Sequence, residues 1–157
     1  MGPVPEDAFP MRAAIAVFAV PGKPDPVVTI ALGLEQPGVT ARTSYEVEVQ
    51  TNAYTSDGRP RFVGRRDKAS VVLAPRKGVD RARYDLLSQI SLKPGRYELR
   101  LSAVRPTDNV RGSLYADVEV PDFTKEPLSV SGIVLEVDPA RASAPPGAFG
   151  NLLPVTP

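Results

Sequence analysis

Apolar and polar residues alternate along most of this chain, a pattern typical of β-strands with one buried and one solvated face. The clearest case is the run 27–34, in which Val28, Ile30, Leu32 and Leu34 form a single apolar stripe. Clusters of Pro, Gly, Asn and Asp separate the alternating runs, as turns separate strands. We predict strands over residues 11–20, 27–34, 44–55, 61–66, 70–74, 82–90, 96–104, 112–120 and 128–135.

Two of these assignments leave an alternative open. The runs 61–66 and 70–74 are either two strands or one continuous strand. The segment 79–89 also has room for one or two helical turns, but Tyr84 and Leu86 alternate as a strand requires, and we favour a strand there.

A hairpin is indicated by Ser56-Asp57-Gly58, because Asp-Gly between two alternating runs is a strong turn pattern. The strand that follows should return antiparallel to the strand 44–55. Its arginine-bearing face would then lie opposite Glu46 and Glu48 and form cross-strand ion pairs.

The fold class is indicated most clearly by the stretch Leu92–Leu101. Pro94 fixes φ for a tight turn, and Gly95 accepts the positive φ that would strain another residue. Tyr97 then begins a strand whose alternate side chains face the core. A Leu, a Pro-Gly turn and a Tyr resemble the tyrosine corner of immunoglobulin-like and fibronectin type III-like sandwiches, where the hydroxyl bonds nearby backbone. An ordinary hairpin with a half-buried tyrosine is the alternative.

The predicted fold is therefore an all-β, antiparallel β-sandwich of immunoglobulin-like or fibronectin type III-like type, with about eight or nine strands. Among 157 residues there are 18 prolines, which interrupt the chain too often for long helices. We assign residues 1–10 to a linker or arm, 11–137 to the sandwich, and 138–157, rich in Pro, Gly and Ala, to a tail or linker.

Several kinds of chemistry are closed to this sequence. It contains no cysteine and no histidine, which removes disulfides, thiolate zinc sites, a cysteine nucleophile and the usual general base. No Gly-x-Ser-x-Gly, Ser-x-x-Lys, calcium-loop or phosphate-loop pattern occurs. The carboxylates available for glycoside hydrolysis, Glu46, Glu48, Asp117 and Glu119, fall on strand faces that we predict to be exposed. We therefore predict no catalytic residues, no metal site and no cofactor.

Charge is balanced overall, at +1, but it is unevenly distributed. The region Arg59–Arg83 holds nine basic residues and two acidic ones. Arginine forks match carboxylate and phosphate groups, so this region is a candidate binding site for an acidic polysaccharide or another anionic partner. A solvated strand face is the plainer interpretation. The candidate residues are Arg59, Arg61, Arg65, Arg66 and Arg83.

Nucleic acid and membranes are not predicted partners. The basic region lacks a nucleic-acid motif and, apart from Phe62, interleaved aromatic residues. No apolar run approaches the roughly 20 residues of a membrane span, and residues 1–7 lack the basic start of a signal peptide. Without tryptophan, only Tyr54 and Tyr115 are predicted to be exposed aromatic residues that could contact a sugar.

Three segments together resemble a known protein family: Leu92–Tyr97, Gly112–Phe123 and Pro127–Leu135. They are similar to the β-rich region that lies C-terminal to the von Willebrand factor A domain in bacterial, largely acidobacterial, VWFA-related proteins. The resemblance is firmest over Ile90–Leu135, and Leu153–Pro157 resembles the start of that family's next segment. The family's A domain binds metal through an Asp-x-Ser-x-Ser loop, which this chain lacks.

The resemblance implies a sandwich module in a large exported protein, located outside the cell or in the cell envelope or periplasm. Its partners would be other domains of the same parent chain or separate proteins. We expect a non-catalytic structural or protein-interaction module. The alternative is the anion-binding module that uses the Arg59–Arg83 region.

Overall fold

The protein is described here from a computed structural model covering residues 8–20, 22–55, 64–73, 81–125 and 142–143. Over these residues it is all-β, as predicted. The strands are β1 Met11–Phe18, β2 Val27–Pro37, β3 Thr43–Thr55, β4 Arg65–Leu73, β5 Arg81–Ser91, β6 Gly95–Arg105, β7 Val110–Val120 and β8 Ala142–Ser143.

The strands form two sheets. Sheet I has the order β1-β2-β5-β8, and sheet II has the order β4-β3-β6-β7. All pairs are antiparallel except β5–β8, which is parallel and two residues long. Inward side chains of both sheets belong to one hydrophobic cluster, as in a β-sandwich.

Most of the predicted strands are confirmed. Residues 65–66 and 70–73, from the runs 61–66 and 70–74, belong to the single strand β4, and the described residues of the segment 79–89, which also allowed helical turns, belong to strand β5. Strand β4 returns antiparallel to β3, as the Asp-Gly pattern predicted. The turn 56–58 itself and the predicted strand 128–135 lie outside the described residues, so the strand count stays a prediction.

The core is built from the apolar stripes that the sequence shows. Ile30 and Leu32 of β2 are 1% exposed, and Leu99 and Leu101 of β6 are 0% and 1% exposed. Full burial of such a side chain contributes about 1.5–3 kcal/mol. The sequence pattern thus identifies the inner face of both central strands correctly.

Phe9 also belongs to the core, with 2% of its surface exposed. It lies in the segment 1–10 predicted to be a linker or arm, of which the structure describes residues 8–10. The carbonyl of Pro10 accepts a hydrogen bond from the Glu35 amide at 3.2 Å, which fixes this segment against β2. A single aromatic residue before the first strand has no periodicity, so the sequence did not indicate its burial.

The tyrosine corner is present. The Tyr97 hydroxyl donates to the Lys93 carbonyl at 2.9 Å, and the side chain is 7% exposed. Gly95 has a φ of 154°, positive as predicted. The turn before β6 is therefore tied to the strand by a partly buried hydrogen bond.

Replacing Tyr97 with phenylalanine should lower the free energy of unfolding by about 1 kcal/mol, because the partly buried hydrogen bond to the Lys93 carbonyl is lost. The ring and its packing remain in place, so the slope of unfolding against urea should not change. Urea denaturation of both proteins measures the difference. An unchanged midpoint would show that the hydroxyl bond contributes nothing.

A second buried tyrosine, Tyr84 of β5, links the two sheets. Tyr45 of β3 donates to the Tyr84 hydroxyl of β5 at 3.4 Å, and their rings meet edge to face with centroids 6.4 Å apart. Burial, more than this hydrogen bond, raises the pKa of the Tyr84 phenol well above its ordinary value of 10. Folding therefore favours the protonated phenol.

Stability should fall as the pH rises above about 10, where the unfolded chain releases the Tyr84 proton and the folded chain keeps it. Below that pH both states are protonated, and the contribution is constant. Tyr84→Phe removes this titration, so the unfolding free energy of the variant should decline less steeply between pH 9 and 11. Urea titrations across that range test this, and equal slopes for the two proteins would contradict it.

The outer faces of the two sheets differ in composition. Sheet I presents small or apolar residues such as Ala14, Ala16 and Leu87 together with the ion pairs Arg12–Asp85 and Arg83–Glu35. Sheet II presents charged and aromatic residues of β3, β4, β6 and β7 side by side.

Candidate functional site

Three of the five predicted binding arginines are described, and Arg65 is the most constrained. It shares the inward face of β4 with Val71 and Leu73. Its Nε lies 2.9 Å from both carboxylate oxygens of Asp67, and its Nη1 donates to the Gln89 carbonyl of β5 at 2.8 Å. Arg65 therefore joins the two sheets at their β4–β5 edge.

Arg66 and Arg83 are placed elsewhere. Arg66 lies on the outer face of β4, with its Nη2 3.4 Å from the Gln50 side-chain oxygen. Arg83 lies on sheet I and pairs with Glu35 of β2 at 2.8 Å. The three arginines point to three different surfaces, and each has a polar or acidic neighbour. Arg59 and Arg61 lie outside the described residues, so the whole basic region stays a prediction.

Of the two acidic residues predicted to form cross-strand ion pairs, Glu48 does so, with a lysine in place of an arginine, whereas Glu46 lies opposite Ser70. Lys68 of β4 lies opposite Glu48 of β3, and Nζ is 2.7 Å from Oε1. The hydrogen bond between them, and secondarily their charges, lower the pKa of Glu48 and raise that of Lys68. Both groups are exposed, so the pair contributes little to stability.

A shallow depression of about 750 Å³ lies on the outer face of sheet II, near the start of β6. Its outward side chains come from β3, β6 and β7. The lining residues are Tyr54, Thr55, Arg96, Tyr97, Glu98, Arg100, Asp117, Val118 and Glu119.

Arg100 lies between two aromatic rings at this depression. Its guanidinium carbon is 4.3 Å from the centroid of the Tyr54 ring and 5.1 Å from that of Tyr115. Both are cation–π contacts, because an aromatic face carries negative charge density. Arg100 Nε donates to Glu98 Oε1 at 2.7 Å, and this hydrogen bond is the main cause of the raised pKa of Arg100. The guanidinium is thus held in one orientation.

Strand register creates this arrangement. Arg100 of β6 lies directly opposite Tyr115 of β7, and Glu98 lies opposite Tyr54 of β3. Tyr54 and Arg100 are therefore diagonal neighbours, within reach of long side chains. The sequence identified both tyrosines as exposed aromatic residues but did not indicate that Arg100 would join them, because neither register can be seen in the local pattern.

The charged border of the depression carries one net negative charge. Arg96 pairs weakly with Glu119, at 3.4 Å with both side chains largely exposed. Asp117 is exposed, and the described residues provide it with neither an ion pair nor a hydrogen bond. The site can therefore offer an oriented guanidinium beside a carboxylate that has no cation.

Within the described residues, no group of three or more acidic side chains is arranged to hold a metal ion. Asp108 accepts hydrogen bonds from Arg105, and these lower the pKa of its carboxyl group. It shapes the β6–β7 turn, in which Asn109 has a φ of 57°.

Comparison with known proteins gives a limited result. No protein-family model and no curated protein matches this chain. Among solved structures, two of a β-glucosidase from Kluyveromyces marxianus, one with selenomethionine and one with glucose, resemble it with a TM-score of 0.37 and 16% identity. The match covers 70% of this chain and 14% of the glucosidase chain.

No helix in the described part of the chain is long and apolar enough to cross a membrane.

Proposed function

We propose that this chain is a non-catalytic, fibronectin type III-like sandwich module that serves protein interaction within an exported bacterial VWFA-related protein. The interaction role is carried by the cluster of Tyr54, Arg100 and Tyr115 on the outer face of sheet II. The sandwich type is supported by the strand order β1-β2-β5 against β4-β3-β6-β7 and by the tyrosine corner at the start of β6. In a constant-type immunoglobulin domain the fourth strand pairs with the fifth. Here β4 pairs with β3 instead, which favours the fibronectin type III-like alternative.

The parent protein is proposed from sequence segments that coincide with defined structural features. Leu92–Tyr97 forms the tyrosine corner, and Gly112–Phe123 includes most of β7. The third segment, Pro127–Leu135, lies outside the described residues. These segments support a module that follows an A domain in the chain order of VWFA-related proteins.

Protein interaction is favoured over binding of an acidic polysaccharide by the placement of the arginines. Arg65 is bound by Asp67 and Arg83 by Glu35, so two of the three described candidates already have a carboxylate. The outer face of sheet II instead offers Tyr54, Arg100 and Tyr115. Tyrosine and arginine are among the residues that contribute most to protein–protein binding energy.

The complete parent sequence, followed by a titration, tests this proposal. An upstream domain with an Asp-x-Ser-x-Ser loop is expected, and its absence would overturn the family assignment. The purified upstream domain, added to ¹⁵N-labelled chain, should shift a contiguous set of backbone amides. Polygalacturonate, added in a parallel titration, should leave the amides around Arg65, Arg66 and Arg83 unchanged. A saturable shift there would favour the anion-binding alternative.

A further inference from the structure

The depression on sheet II presents a guanidinium whose hydrogen-bonding edge is available. The Arg100 guanidinium lies over the rings of Tyr54 and Tyr115, and among the described residues only its Nε makes a hydrogen bond. The four N–H groups on Nη1 and Nη2 form no such bond there, although 31% of the side chain is exposed. A donor held in this way binds an acceptor without a further loss of side-chain entropy.

Local charge decides what kind of ligand suits this donor. Three carboxylates, those of Glu98, Asp117 and Glu119, surround two arginines. Glu98 compensates Arg100, and Glu119 lies near Arg96, so Asp117 carries the excess charge. An anionic ligand would be repelled by that carboxylate, whereas a neutral acceptor next to a cation would match both groups.

A polypeptide supplies a neutral acceptor and a cation close together. Each residue has a main-chain carbonyl, and a lysine or arginine residue also carries a positively charged side chain. A neutral glycan fits less well, because Arg100 already covers one face of each tyrosine ring that would stack on a sugar. The cluster also has the anatomy of a protein-binding centre, in which tyrosine and arginine are surrounded by a polar border.

We infer that the depression binds an extended segment of a partner protein that presents a main-chain carbonyl to Arg100 and a lysine or arginine side chain to Asp117. This inference rests on the proposed protein-interaction function and specifies the partner's chemistry. Arg100 and Asp117 lie on the adjacent, hydrogen-bonded strands β6 and β7, which hold the two contacting groups side by side.

Three blocked tripeptides test the inference: acetyl-Gly-Arg-Gly-amide and its Gln and Glu counterparts, each titrated into ¹⁵N-labelled protein at low salt. The Arg peptide should shift the amides of Tyr54, Arg100 and Asp117 and bind about threefold more tightly than the Gln peptide, the effect of one exposed ion pair. High salt should remove that difference. The Glu peptide should bind most weakly.

Two variants separate the role of the Asp117 carboxylate from that of the Arg100 guanidinium. Asp117→Asn should bind the Arg and Gln peptides equally, and its exposed side chain without a partner leaves folding unaffected. Arg100→Lys should weaken both peptides, because the planar fork is lost. Glu46→Gln, on the same face of β3 but about 26 Å from Tyr54 by strand rise, is the control and should change nothing.

Several outcomes would overturn the inference: equal binding of the Glu peptide, an Asp117→Asn variant that still prefers the Arg peptide, or shifts on this face caused by maltohexaose and not by peptides. These outcomes differ from a failure of the proposed function. If the upstream domain shifts amides on another surface, protein interaction stands and this docking site is wrong. If it shifts none, the proposed function fails.

Discussion

Gly112→Ala should lower the free energy of unfolding by about 3 kcal/mol, the largest effect that we expect from adding one methyl group to this chain. The new Cβ would overlap the carbonyl oxygen of Phe9 and lie 2.7 Å from the Met11 sulfur. The Phe9 carbonyl cannot easily move, because Pro10 is hydrogen-bonded to Glu35 and the Phe9 ring is in the core. Urea denaturation measures the loss.

Gly33→Ala is the matched control, because its new Cβ would also meet a neighbour at short distance. That neighbour is the Arg12 side chain, which is 61% exposed and can rotate away. We expect a change within about 1 kcal/mol, which could be stabilising because glycine disfavours a strand interior. Equal losses at positions 112 and 33 would show that the rigid Phe9 backbone is not the cause.

The Gly112 contact also matters to the candidate site. Residues 9–11 pack on β7, which carries Tyr115 and Asp117 three and five residues beyond Gly112. Displacing β7 would disturb its register with β6, on which the position of Tyr115 beside Arg100 depends. The variant should therefore lose peptide binding along with stability, whereas Gly33→Ala should retain it.

The local pattern was sufficient for strands and their inner faces, because alternation reports burial directly. The stripe that includes Ile30 and Leu32, and the corner at Tyr97, were predicted and are present. Phe9 could not be predicted, since it is buried by residues far along the chain. The site could be predicted only in part. Tyr54 and Tyr115 were predicted to be exposed and are half-buried on the outer face of sheet II, and their distance from Arg100 depends on the pairing of three strands.

Arg65 shows a different limit of prediction from sequence. In the alternating pattern of β4 it falls on the same face as Val71 and Leu73, which is the face of inward residues, yet its charge suggested a solvated face. Both descriptions are partly correct, because β4 is an edge strand and a long side chain there reaches the border of the core. The available indication was the neighbouring Asp67, which has the same alternation and supplies the opposite charge.

Asp67→Ala should lower the free energy of unfolding by about 2 kcal/mol, because it removes the shared acceptor of two side chains on opposite sheets. Asp67 accepts from Arg65 at 2.9 Å and from the Ser88 hydroxyl at 2.7 Å. Ser88 is 4% exposed, so its hydroxyl would lose this partner where water has little access. The effect is smaller than for a fully buried pair because Arg65 is 37% exposed.

Lys68→Ala, at the adjacent position, is the control for Asp67→Ala. Its side chain lies on the opposite face of β4 and forms an ion pair of similar length, 2.7 Å, with Glu48, but in contact with solvent. The urea midpoint of this variant should not change measurably, since exposed pairs are screened and contribute little. If both variants lost equal stability, the connection between the sheets through Asp67 would have no special role, and the loss would reflect charge removal from β4. If only Asp67→Ala is destabilised, Arg65 acts as a structural group of the sandwich edge, and the anion-binding hypothesis loses one of its five arginines.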